Sequence, residues 1–174
     1  MRWPVRLFLA GLLCAAAGCH PAFQGGTLRK TTGPLFSTNY FAHLQELDLN
    51  KEGSYAAVFR GFPSSHAYLD LMLIKPASVD TKFLRQLTTE VGMELDKSDG
   101  TPVCRAVGRL GQHIWGEHAW TLNPGWEEAS FWHSKCHLLK LRRDELYTLK
   151  ITVKDANEAL GPLRVYPLLW TPHD

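Results

Sequence analysis

Beyond its first twenty positions the chain has no apolar run approaching the roughly 18 residues of a membrane span, so no second membrane segment is expected. It also lacks a basic surplus where one would count. Of 19 Lys+Arg, Arg2 and Arg6 fall within residues 1–18, and the remainder equals the 17 Asp+Glu. Composition therefore makes no case for nucleic acid, which demands several phosphate-neutralising contacts. No G-x-S-x-G elbow, phosphate-cradling glycine loop or dinucleotide fingerprint is present, so no cofactor is implied. No repeat of about 20–50 residues stands out, which argues against a propeller or solenoid.

What is present begins with MRWPVRLFLAGLLCAAAGCH. Arg2 and Arg6 form a positive end, Leu7 to Leu13 is too short to span a bilayer, and Ala15-Ala16-Ala17-Gly18 is a small-residue cleavage region. This is the pattern of a secretory signal. Ala16-Ala17-Gly18-Cys19 resembles the lipobox of bacterial lipoproteins, in which the cysteine sulfur receives a diacylglycerol and cleavage makes that cysteine the new N-terminus. The resemblance implies a signal peptide over 1–18, lipidation at Cys19 and attachment to a membrane through acyl chains (palmitate or similar). At about 0.8 kcal/mol per buried CH₂, such chains exceed the two-signal minimum for stable anchoring. His20 stands where Asp would act as an inner-membrane retention signal, so the family's sorting rule implies the periplasmic face of the outer membrane. The alternative is an ordinary secretory cut near Ala17 or after Ala22.

Export alters the reading of the cysteines. Cys14 leaves with the signal and Cys19 carries the lipid, which leaves Cys104 and Cys136 as an even pair in an oxidising compartment. They form either a disulfide or two buried thiols, and the compartment favours the disulfide.

From Pro21 to Phe36 the sequence is rich in Gly, Thr and Pro, and residues 19–38 read as a tether. One domain over 39–174 follows. Strands are expected over Phe41 to Leu49, Ser54 to Phe62 and His66 to Lys75. The last has Leu69, Leu71 and Leu73 at period two and a half-apolar opposite face, which marks a central strand. Asp80 to Thr88 fits one short helix with Phe83, Leu84 and Leu87 on a face. Asp99-Gly100 is the strongest hairpin signal, joining a strand that holds Met93 and Leu95 to one from Pro102 to Leu110. Further strands are expected at Cys136 to Leu141, Leu146 to Lys154 and Leu163 to Leu169. In Leu146 to Lys154, Tyr147, Leu149, Ile151 and Val153 alternate with Thr and Lys. Seven to eight short strands with at most one short helix indicate an all-β antiparallel sandwich. The stretch from Gly53 to Leu73 and the pattern YTLKITV look like small sandwich domains of bacterial lipoproteins and like strands of jelly-roll carbohydrate-binding modules.

Gly111 to His133 has no sustained period and holds Trp115, Trp120, Trp126 and Trp132. Read as an irregular loop, it is the candidate binding region, because exposed indoles stack on sugars and anchor interfaces. The competing reading is that these rings cap the sandwich. His113, His118, His133 and His137 with Cys136 invite a zinc site, but on a strand residues four apart lie about 13 Å from each other. Asp48, Asn50 and Glu52 mimic a calcium loop whose twelfth position is Phe59, which rules it out. Glu117, between two tryptophans, would suit an acid in a sugar cleft, whereas Glu127-Glu128 reads as a solvated turn. The resulting expectation is a non-enzymatic, lipid-anchored module that binds an envelope protein or glycan. An envelope-polymer hydrolase and a periplasmic metal-binding protein are the alternatives.

Overall fold

The structure is a computed structural model that describes residues 22–32, 37–79, 86–110, 119–123, 125–136, 138–161 and 163–171. Its strands are β1 (Thr27–Thr32), β2 (Thr38–His43), β3 (Gly53–Phe59), β4 (His66–Pro76), β5 (Glu90–Lys97), β6 (Pro102–Arg109), β7 (Ala119–Asn123), β8 (Trp126–His133), β9 (Leu139–Lys140), β10 (Tyr147–Lys154) and β11 (Arg164–Trp170). A seven-stranded sheet runs β1-β2-β11-β4-β8-β7, with β9 continuing beside β4. A four-stranded sheet runs β3-β10-β5-β6. All pairings are antiparallel, and the two sheets form an all-β sandwich.

Alternation explains the assembly. In β10, Tyr147, Leu149, Ile151 and Val153 are buried, while Lys150, Thr152 and Lys154 face solvent. Leu69, Leu71 and Leu73 of β4 meet them in one core with Val91, Met93 and Leu95 of β5. β4 is central, as its two apolar faces require: β11 lies on one side, β8 and β9 on the other. Phe59 stacks on Tyr147 with ring centroids 5.4 Å apart, and the Tyr147 hydroxyl accepts from the Arg142 amide at 2.7 Å. The hairpin after β5 closes as expected. Gly100 donates to the Lys97 carbonyl at 2.9 Å and takes φ +80, a left-handed conformation that favours glycine.

Three expectations are corrected. The sandwich contains more than seven to eight strands. Part of the supposed tether is folded: β1 pairs with β2 from Thr27 to Thr32, and Gln24 exchanges backbone hydrogen bonds with Arg60 at 3.0 and 3.2 Å. The domain thus begins well before Asn39. At the crossing between the sheets a side chain on Gly25 would strike the Val58 carbonyl, and one on Gly26 the His43 carbonyl. Finally, the supposed irregular loop includes β7 and β8, which pair with each other, and β8 extends the larger sheet beside β4. The expected helix falls largely on residues 80–85, outside the described residues.

Cys104 of β6 is bonded to Cys136, which follows β8, with Cα atoms 5.8 Å apart. The bond clasps one sheet to the other. Cys136 is held by a small polar network around Asp70, which is 2% exposed. The Ser134 amide donates to Asp70 Oδ1 at 3.1 Å, Trp170 Nε1 donates to Oδ2 at 2.6 Å, and the Cys136 amide donates to Ser134 Oγ at 3.0 Å. The Ser134 hydroxyl in turn donates to the Leu69 carbonyl.

Candidate functional site

Residues directly opposite one another across paired strands share a face. On the side of the larger sheet away from the core, register aligns Arg29 with Phe41, Phe41 with Trp170, and Trp170 with Tyr68. A second row joins His43, Leu168 and Asp70. Further along, Tyr166 stands opposite Met72 and Ile74 opposite Glu128. This outer face is not simply wet. Met72 and Leu168 are 4% and 2% exposed, although neither belongs to the central core.

A carboxylate is buried on the same face. Glu128 is 1% exposed, with Oε1 2.7 Å from His43 Nε2 and Oε2 3.4 Å from an Arg29 guanidinium nitrogen. His43 and Glu128 lie three strands apart and, measured at Asp70 and Ile74, four residues apart along β4, roughly 20 Å on a flat sheet and too far for upright side chains to touch. The sheet is therefore twisted enough to make this face concave along the diagonal that joins them. Burial by itself would push the Glu128 carboxyl up. The His43 ring and the Arg29 guanidinium outweigh that burial and hold it below the ordinary glutamate range.

The polar chain continues along β2 and β11. His43 stacks on Tyr166 with centroids 5.8 Å apart, and the Arg164 guanidinium lies 5.4 Å from the Tyr166 ring centre. Glu46 Oε2 accepts from Arg164 at 3.0 and 3.1 Å and from the Tyr166 hydroxyl at 2.7 Å. Those hydrogen bonds, from Arg164 first and Tyr166 second, lower the Glu46 carboxyl. Burial, with the Glu46 hydrogen bond added, pushes the Tyr166 phenol up to about 12. Tyr166 is thus a neutral donor at any physiological pH. Phe41, beneath the Arg29 guanidinium at 5.4 Å, and Trp170, 4.7 Å from Tyr68, complete a surface of half-buried rings, two cations and two ionised carboxylates. Such a surface can stack on apolar faces of a ligand while donating and accepting hydrogen bonds at its edge.

The candidate residues distribute unevenly. Trp115, His113, His118, Glu117 and His137 lie outside the described residues, as does the lipidation candidate Cys19. Trp126 opens β8, and the backbone of Trp120 on β7 stands directly opposite Glu128, at the border of the concave face. Trp132 is corrected as a binding residue. It is 2% exposed, belongs to the core, and would crowd a side chain at Gly108 to within 3.1 Å. Glu127 and Glu128 are not a solvated turn either. Both lie in β8, and Glu127 Oε2 accepts from Lys75 Nζ at 2.6 Å, an ammonium only 5% exposed. Sequence reasoning missed Arg29, His43, Glu128 and Tyr166 as one constellation. The signal available was the polar residues interrupting strand patterns, each of which reads singly as a wet position. Compared with known protein families and with curated proteins, the chain matches none.

Proposed function

We propose that the protein is a lipid-anchored component of the bacterial envelope whose sandwich domain binds an envelope glycan through the concave outer face of its larger sheet, without chemical conversion. The observation that carries this reading is the ring-and-ion array from Arg164 through Tyr166, His43 and Glu128 to Arg29, bordered by the backbone position of Trp120. Aromatic faces beside fixed donors and acceptors suit sugars. Anchoring at Cys19 is supported by the lipobox resemblance of Ala16-Ala17-Gly18-Cys19, and the outer membrane's periplasmic face by His20. An envelope protein is the other class of ligand for the same face.

The test compares wild type with Phe41→Ala/Trp120→Ala for cosedimentation with purified peptidoglycan sacculi and for capture of proteins from detergent-solubilised envelopes. Selective loss from the sacculi identifies a glycan. Loss confined to the protein capture identifies a protein partner. Unchanged recovery in both arms removes the outer face from the function.

A hydrolase reading draws on one specific observation, the approach of an acid to a histidine beside the Trp120 position. Its weakness is chemical. A general acid needs a raised pKa, whereas the Glu128 carboxyl is held below the ordinary glutamate range, with His43 Nε2 and the Arg29 guanidinium already against its two oxygens. Retention of full sacculus turnover by Glu128→Gln would exclude Glu128 as the acid.

A further inference from the structure

We propose that the end of the sandwich at which the chain enters, where Lys97, Lys135 and Lys140 surround Leu138, is a docking face for an anionic lipid surface. These three lysines line one shallow cleft of about 440 Å³ beside the Cys104–Cys136 bond, and among the described residues no carboxylate lines it. Leu138 stands at its rim, 54% exposed and at φ +51, a left-handed backbone that L-residues adopt rarely. A leucine held exposed in that conformation, ringed by ammonium groups, has the composition of a membrane-surface contact: an apolar tip to enter the interface and cations for the headgroups.

Topology supplies the second argument. Register carries Phe59 to Tyr147 and Tyr147 to Lys97, so these three residues mark one end of the smaller sheet. Gln24 pairs with Arg60 at that same end, next to the half-exposed Leu146. Cys19 precedes Gln24 by five residues, which span at most about 18 Å. On the lipid-anchor reading, from which this argument starts, Gln24 is therefore held within that distance of the lipidated residue, and the lysines share its end of the sandwich. Asp99, Asp144 and Glu145 are carboxylates of the same end. Arg142 engages Asp144 at 3.0 Å, Ser98 donates to Glu145 at 2.8 Å, and the Thr101 amide donates to Asp99 at 2.8 Å. With Arg60 and Arg143 also there, cations remain in excess among the described residues of this end.

The experiment uses the processed chain with Cys19→Ser, so that no acyl chain contributes, and measures cosedimentation with phosphatidylglycerol/phosphatidylcholine vesicles against pure phosphatidylcholine. Binding to the anionic vesicles alone, weakened by salt, is expected. Lys97→Gln/Lys135→Gln/Lys140→Gln should lower it about a hundredfold, roughly fivefold per lysine. Lys30→Gln/Lys150→Gln/Lys154→Gln should leave it unchanged. Leu138→Asn, which tolerates the left-handed backbone, should lower binding about tenfold with no fall in melting temperature. Equal binding to both vesicle types, absence of binding, or equal behaviour of the two lysine variants overturns the proposal. The anchor is read separately, by detergent-phase partition of the wild-type chain against Cys19→Ser. A wild type that stays in the aqueous phase defeats the lipobox reading and leaves the vesicle result to stand by itself.

Discussion

Replacing both Cys104 and Cys136 by alanine opens the covalent clasp between the sheets, and its cost can be worked from the chain. The cysteines are 32 residues apart in sequence. In the chain-entropy model, closing a loop of that length removes about 12 cal/mol/K from the unfolded state, or about 3.7 kcal/mol at 25 °C. Cys136 is 2% exposed, so the lost sulfur contacts add to this figure. Domains of this kind have only about 5–15 kcal/mol in total, so the loss is a large share of the margin. The assay is urea denaturation of wild type, of wild type in reductant, and of the double variant. With a slope near 2 kcal/mol/M, the midpoint should fall by about 1.5–2 M in the last two. Cys104 and Cys136 should also resist alkylation of the denatured protein until reductant is added. A midpoint shift below about 0.5 M, or ready alkylation of both residues without reductant, refutes the reasoning.

Other expectations follow from the same structure. Because the Glu128 pKa is lowered on folding, its ionisation contributes stability that is fully present above the unfolded value of about 4.3 and lost as pH falls through the folded one. Glu128→Gln should therefore cost about 1–3 kcal/mol at pH 7, with the gap to wild type closing in strong acid. Gly100→Ala meets open space and only a left-handed φ, for a loss of about 1 kcal/mol. Gly25→Ala has φ +102 and a carbonyl collision besides, so its melting temperature should fall several times further. Spectrophotometric titration of wild type against Tyr166→Phe should assign to Tyr166 a phenol that ionises near 12, and its ionisation near 10 would contradict the hydrogen bond to Glu46.

The elements legible in the sequence are those whose burial is one-sided and local. β10 declares itself because lysine and threonine occupy every outward position between buried residues. The β5–β6 hairpin is announced by Asp99-Gly100, since its turn chemistry is contained within five residues. β1 was hidden because TLRKTT buries little, and what holds it is the ladder to β2. β8 was hidden for the opposite reason. Its WEEASFWH places two carboxylates in a strand, and the groups they pair with are Lys75, His43 and Arg29, between 52 and 99 residues away. A bulge opposite Leu71 and Met72 also breaks the period of two that would have marked it. Burial of charge is a property of the assembled sheet, so the site was invisible where the scaffold was not.

The order of the strands has a consequence for how the protein comes into being. β11 lies between β2 and β4, and β10 lies between β3 and β5. Each sheet thus receives an interior strand that comes later in the sequence than every strand it joins. A nascent chain that ends before Tyr147 holds the β1–β2 pair, the β4–β8–β7 unit with β9 and the β5–β6 hairpin, but no strand that joins β2 to β4 or β3 to β5. The contacts that close both sheets are non-local, so neither sheet is complete until residues 147–170 are present. The larger sheet closes only when residues 164–170 fill the gap between β2 and β4.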